Sequence, residues 1–359
     1  RYACDGLLNQ RLDTPFIKYN GKFERASWSE VFKIIKSKFE NSSKDKVCGF
    51  VGDLTNMETS YIFKEFFERI LNTTNFESRP DNRFLDISNR ENYLFNSSII
   101  GIEDSDLIFL IGANPRYEAT ILNARIRKSY VNNHTEIISL NDVGDLTYPY
   151  ENLDGTTKML KEIFEGKHKI SNQIINAKKP SIIIGESFFN LKTSKYLFSL
   201  IKEFLNTNNK INKDFNSLNI LSCDASTVGN YDLGLVNQEK SLLQNLRNHQ
   251  FEILFLAGQD NLDFDKKDEF IIYQGSHGDR GAEIADIILP GSAYTEQDGH
   301  FTNLEGKIQK ALKASYPPGE AKEDWQIINE LSEYISGRKL FNDKDELESS
   351  MFNYLNLQK

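Results

Sequence analysis

The chemistry this sequence spells most directly is anion binding at a strand-to-helix turn. Leu107-Ile-Phe-Leu-Ile111 is an apolar run of strand length, and Gly112-Ala113-Asn114-Pro115 follows it before a helical pattern. A turn of this kind can hold a phosphate, because a helix start offers free N–H groups and a partial positive charge, and glycine lets the backbone come close. Pro115 suits a first helical turn. Gly112 and Asn114 are therefore the candidate phosphate contacts. The turn has neither the G-x-G-x-x-G nor the G-x-x-x-x-G-K-[ST] spacing. Glycine is also what strand-to-helix geometry requires on its own, so a purely structural role stays open. Arg116, Arg125 and Arg127 follow, able to meet an anion, the chain's own acidic surface or a partner subunit.

A second loop, Gln274-Gly-Ser-His-Gly-Asp-Arg-Gly-Ala282, sets His277 beside Asp279 as an acid–base pair would be. Neighbouring loop residues seldom face each other, and no G-x-S-x-G motif supports a nucleophile. The three glycines point to a tight turn. Metal chemistry has less support. Cys4, Cys48 and Cys223 are far apart with no C-x-x-C, and His134, His168, His249, His277 and His300 show no H-x-x-x-H spacing. Neither a zinc ribbon nor an iron–sulfur cluster is expected from this chain alone, and we assign no catalytic residue and no metal ligand. So sparse a cysteine set also argues for a reducing compartment.

Lys and Arg number 43 against 52 Asp and Glu, a net charge of -9 that disfavours a nucleic-acid partner. Hydrophobic residues at 39% and charged residues at 26% give a globular balance. No apolar run approaches the roughly 18–20 residues a membrane helix needs, so no direct membrane insertion is expected.

These loops need elements to position them. Short runs of Ile, Leu, Val and Phe at 47–51, 107–111, 135–140, 181–184, 218–221, 253–256 and 270–273 read as strands buried on both faces. Amphipathic patterns at 28–39, 57–71, 118–130, 191–205, 241–247 and 324–335 read as the intervening helices. The alternation predicts an α/β fold, doubly wound, with mostly parallel sheets and helices on both faces. Ile253-Leu-Phe-Leu-Ala-Gly-Gln-Asp-Asn261 repeats the strand–Gly–x–(Asn/Asp) grammar of 107–114, which hints at duplication. We expect an N-terminal segment 1–45, an α/β domain 46–336 with candidate halves 46–175 and 176–336, and an irregular tail 337–359.

Three further segments resemble the molybdopterin oxidoreductase family. They are Ala285-Asp-Ile-Ile-Leu-Pro290, Glu296 to Gly306 (Glu-Gln-Asp-Gly-His-Phe-Thr-Asn-Leu-Glu-Gly), and Pro317-Pro-Gly-Glu-Ala-Lys-Glu-Asp-Trp325. Arg11-Leu-Asp-Thr-Pro15 and Ser27-Trp-Ser-Glu30 match segments that, in the family, follow a cysteine-rich region. Within the family, Gly112 to Ala119, Asn123 to Lys128, Asp145 to Tyr148 and Ile272 to Asp279 are similar to the large iron–sulfur subunits of NADH:quinone oxidoreductase, respiratory complex I. The resemblance implies a formate dehydrogenase-like fold serving as a structural, non-catalytic domain in electron transfer from NADH to ubiquinone. It implies [2Fe-2S] and [4Fe-4S] clusters in an upstream region or a partner chain, and flavoprotein and iron–sulfur subunits of the peripheral arm as neighbours. It places the protein at the mitochondrial inner membrane, matrix side, or the bacterial inner membrane, cytoplasmic side. Catalytic relatives supply Cys, selenocysteine, Ser or Asp after the 57–71 helix; here 72–83 has no cysteine, and Asp81 is available. The alternative is an active molybdenum or tungsten oxidoreductase such as a formate dehydrogenase.

Overall fold

A computed structural model describes residues 6–81, 83–238 and 241–357. In chain order its strands are β1 (Phe16–Tyr19), β2 (Lys22–Arg25), β3 (Val47–Val51), β4 (Phe76–Glu77), β5 (Leu107–Ile111), β6 (Glu136–Ser139) and β7 (Glu151–Asn152). Then come β8 (Pro180–Gly185), β9 (Leu218–Leu221), β10 (Ile253–Ala257), β11 (Phe270–Gly275), β12 (Ile287–Pro290), β13 (Gly299–Thr302) and β14 (Ile308–Ala311). The chain forms two compact units: 1–82 with 224–302 and 308–359, and 83–223 with 303–307.

The first unit is built on a sheet of order β2-β1-β12-β11-β10-β3-β4. β3, β4, β10, β11 and β12 pair in parallel, and the β1–β2 hairpin joins antiparallel through Phe16↔Ile288. Successive side chains of a strand point to opposite faces, and the core divides that way. Val47, Val51, Ile253, Phe255 and Ile272 enter one apolar cluster; Cys48, Phe50, Leu254, Leu256 and Ile271 enter another. Helices Trp28–Asn41 and Asp324–Ser336 bury Val31, Ile35, Ile328 and Leu331 in the first cluster. Helix Leu242–Arg247 contributes Leu242, Leu243 and Leu246 to the second. The Met57–Glu65 helix continues as a π turn, Phe66–Ile70, close to the expected 57–71 span.

The second unit has a sheet of order β7-β6-β5-β8-β9, with every pairing parallel. Leu107, Phe109 and Ile111 face one cluster, shared with helix Ser194–Thr207; Ile108 and Leu110 face the other, shared with helix Thr120–Asn133. Both sheets are thus parallel in the main and covered on both faces, as the buried strands required.

Three expectations are corrected. The contiguous halves 46–175 and 176–336 do not exist as units, because β3 pairs with β10 in the register Val47↔Ile253, so that residues 83–223 of the second unit fall between two strands of one sheet in sequence. The segment before residue 46 belongs to that same unit. The tail is not irregular: Lys344–Leu357 is a helix, with Leu347, Met351 and Leu355 buried at four-residue spacing. Asn329 anchors the connection, accepting from Leu340 and Phe341 N–H at 3.0 and 3.1 Å and donating to Phe341 C=O at 2.7 Å. Among the described residues no helix is long and apolar enough to cross a membrane.

Candidate functional site

The predicted turn at Gly112–Pro115 forms, but the Asn114 donors are already engaged. Gly112 adopts φ +60°. The Asn114 N–H donates to Glu118 Oε2 at 3.0 Å, and its side-chain amide to Val143 C=O at 3.0 Å. The next helix is only Pro115–Glu118. Burial and the negative charge of Glu186 raise the Glu118 carboxyl above its ordinary value. A phosphate here would meet a carboxylate on the N–H it needs. The three arginines turn elsewhere: Arg116 pairs with Asp145, Arg125 with Glu103, and Arg127 donates to Thr147 C=O.

In the first unit, a cavity of about 180 Å³ opens at the carboxyl ends of β3, β10, β11 and β12. Open α/β sheets take ligands at this edge. Its polar wall comes from Thr59, Asp260, Gln274, His277, Asp279 and Asp324. Asp324 opens the Asp324–Ser336 helix and accepts from the side-chain amides of Gln297 (2.7 Å) and Gln274 (3.1 Å). Burial pushes its carboxyl up to about 6, against the pull of those two hydrogen bonds. Asp260 accepts from Gly281 N–H (2.8 Å) and Tyr273 O–H (3.1 Å), and burial raises it too. His277 does not pair with Asp279; its Nδ1 meets Ser276 Oγ at 2.9 Å.

Asp324 gives a pH prediction. Its folded pKa lies above the ordinary 3.8, so the unfolded chain loses this proton first. The stability it contributes is full below about pH 4, falls as pH rises towards 6, and is gone above. Asp324→Asn cannot ionise and keeps an acceptor for one amide. Between pH 4 and pH 7 the stability difference should shift towards the variant by about 2 kcal/mol, allowing for solvent in the cavity. Urea denaturation at the two pH values measures it; parallel stability profiles would refute it.

Sequence motifs far apart meet around this cavity. Arg11 grips Glu296 through both guanidinium nitrogens, Nη2 at 2.6 Å from Oε2, and donates from Nε to Ser276 C=O at 3.1 Å. Glu58, fully buried, accepts from both the backbone N–H and Nδ1 of His300. Glu58, His300 and Glu348 offer ligand atoms within 4.8 Å of one another. Sequence spacing had no access to this group, drawn from three separate segments, and Nδ1 of His300 is committed to Glu58. Asp81 is partly buried and lies outside the cavity lining. Cys48 is buried within β3, Cys223 is exposed, and Cys4 lies outside the described residues.

A pterin dinucleotide carries a pyrophosphate, which calls for basic side chains or free N–H donors. The cavity offers three carboxylates, with no Lys, Arg or Cys among its described lining residues. These residues do not fit that group.

The molybdopterin oxidoreductase family model matches residues 11–334. The G subunit of NADH-quinone oxidoreductase from Rickettsia bellii is 38% identical over 98% of this chain and 51% of its own length. The NADH-ubiquinone oxidoreductase 75 kDa subunit of Reclinomonas americana is 35% identical over 97% of this chain and 53% of its own. The mitochondrial 78 kDa subunit of Candida albicans is 38% identical over 96% and 47%. The chain therefore spans about half the length of these relatives. Among solved structures, acetylene hydratase from Pelobacter acetylenicus aligns with TM-score 0.52 at 12% identity, over 92% of this chain and 62% of that one. A chain of the formyltransferase/hydrolase complex from Methylorubrum extorquens aligns with TM-score 0.62 at 10% identity, over 90% and 98%. At such identities these two show the fold alone.

Proposed function

The chain belongs to the molybdopterin oxidoreductase family, and from that premise we propose that it is the structural, non-catalytic part of a large iron–sulfur subunit of respiratory complex I. The observation that carries this reading is 38% identity to a G subunit of NADH-quinone oxidoreductase across 98% of the chain. The engaged turn at Gly112 and Asn114 and the acidic, thiol-free cavity support the loss of the family's cofactor. On this reading [2Fe-2S] and [4Fe-4S] clusters lie in an upstream region or a partner chain. The α/β unit screens them from water, and burial and hydrogen bonding around clusters tune their potentials. Flavoprotein and iron–sulfur subunits of the peripheral arm are its neighbours. The place is the matrix side of the mitochondrial inner membrane or the cytoplasmic side of a bacterial one, with attachment through partners.

The test is assembly. An epitope-tagged chain in its native host, solubilised in digitonin, should co-migrate on a native gel with NADH-oxidising activity. Migration as a free monomer would overturn the assignment. Elemental analysis of the purified assembly should find no molybdenum or tungsten stoichiometric with the chain; about one per chain would restore the catalytic alternative.

A further inference from the structure

Three carboxylates set the charge of the first unit's cavity, which has no Lys or Arg among its described lining residues. Asp260, Asp279 and Asp324 bring three carboxylates, and none has an ion-pair partner among the described residues. Gln274 and Thr59, each 1% exposed, line the same cavity, and Gln274 Oε1 and Thr59 Oγ1 are buried without a hydrogen-bond partner. Gln274 has already spent its N–H₂ on Asp324, so its free atom can only accept. A buried acceptor left unmade costs about 1–3 kcal/mol. These two unmet groups in one wall, beside carboxylates that lack a counter-charge, leave acceptor capacity that a cationic N–H donor would fill.

We propose that this cavity binds a guanidinium group. A guanidinium presents five N–H donors in a planar fork that matches a carboxylate and reaches further acceptors at the same time; an ammonium has only three donors around a point. The rim suits the carbon stem behind such a head group. Leu54 and Tyr294, 63% and 47% exposed, line the cavity and offer apolar and aromatic surface to an alkyl stem and a cation. Burial raises the Asp324 and Asp260 carboxyls, as expected for acids awaiting a cation. Its charge preference is opposite to that of a phosphate-bearing cofactor. The guanidinium belongs either to a free small molecule or to an arginine side chain of a neighbouring chain, and the two are separable.

Calorimetric titration of the full chain near neutral pH and at low salt tests this with three probes: agmatine, an acetylated and amidated Gly-Arg-Gly peptide, and guanosine diphosphate. Agmatine or the peptide should bind saturably at one site, and guanosine diphosphate should give no binding heat. Tighter agmatine identifies a free ligand; a tighter peptide identifies a neighbouring chain's arginine. Asp324→Asn should weaken binding at least about tenfold. Thr59→Val, which keeps the side-chain shape, should weaken it severalfold and covers the case in which Asp324→Asn does not fold. Asp263→Asn, an exposed carboxylate paired with Arg247 and outside the lining, should leave binding unchanged. No saturable binding of either guanidinium probe, equal binding by both cavity variants, or displacement of agmatine by guanosine diphosphate overturns the proposal.

Discussion

Gly52→Ala is expected to abolish the native sheet of the first unit. Gly52 follows β3 directly, and its N–H donates to Ala257 C=O at 2.9 Å. A Cβ added there would lie 1.6 Å from the carbonyl oxygen of Gly258 and 2.3 Å from its carbon. Both are backbone atoms, so no side-chain rotation relieves the clash. Separating the two segments would break the register Phe50↔Leu256 and Val51↔Ala257 inside the sheet, where every residue of β3 and β10 is buried. The cost should exceed about 4 kcal/mol, among the largest for a single methyl group. Insoluble expression, or loss of the cooperative urea transition, is the expected readout. Gly278→Ala serves as the control, since its Cβ meets nothing nearer than 3.8 Å and its φ is ordinary. It should stay within about 0.5 kcal/mol. A folded Gly52→Ala chain within about 1 kcal/mol of the parent would show that this approach does not hold the sheet.

The second unit uses the same device. Gly185 ends β8, and a Cβ there would lie 2.1 Å from the carbonyl oxygen of Gly112. Gly112 and Gly258 follow β5 and β10 respectively, each with φ near +60°, and the paired neighbour either ends in the opposing glycine, as β8 does, or is followed by it, as β3 is. The repeated strand–Gly–x–(Asn/Asp) grammar therefore marks the same geometric need twice. It is a need of backbone approach, which accounts for both glycines without any ligand.

The buried strands were legible because a parallel strand covered on both faces leaves a contiguous apolar run, as 47–51, 107–111 and 253–257 do. Elements with one wet face were not. β1 and β2 mix Lys, Glu and Arg among Phe and Ile, and the Lys344–Leu357 helix carries only a thin stripe of buried positions among Asp, Glu, Ser and Asn. The unit boundaries were hidden for another reason: pairing of β3 with β10 is a long-range choice with no local signature. The cavity was hidden likewise. Gln274 and Asp324 are 50 residues apart, and nothing in either segment announces the other. At Gly112–Pro115 the turn was readable, whereas the return of Glu118 onto the Asn114 N–H depends on a side-chain rotamer that spacing cannot fix. At His277 adjacency argued against a pair with Asp279, and the ring turns to Ser276.

Glu296→Ala should cost about 3–5 kcal/mol, the usual penalty for stranding half of a buried ion pair. The Arg11 and Glu296 side chains are only 10% and 7% exposed. Glu296 also accepts from Ala293 N–H at 3.0 Å, and Arg11 donates to Ser276 and Leu7 carbonyls. Removing the carboxylate leaves a largely buried guanidinium held in place by neutral acceptors, without its counter-charge. Arg11→Lys should recover only part of the loss in the reciprocal experiment, because a single ammonium cannot reproduce the two-pronged grip. The double variant Arg11→Met, Glu296→Leu separates charge stranding from packing, since replacing both partners with apolar residues often restores stability. It should be more stable than either Arg11→Met or Glu296→Leu alone in urea denaturation. Simple addition of the single losses would mean that the two residues are uncoupled. They come from segments more than 280 positions apart, both of which carry the family resemblance. Their partnership gives those motifs a physical role: they clasp the Gln274–His277 loop against the cavity wall, so damage to them should register in stability before it registers in any chemistry.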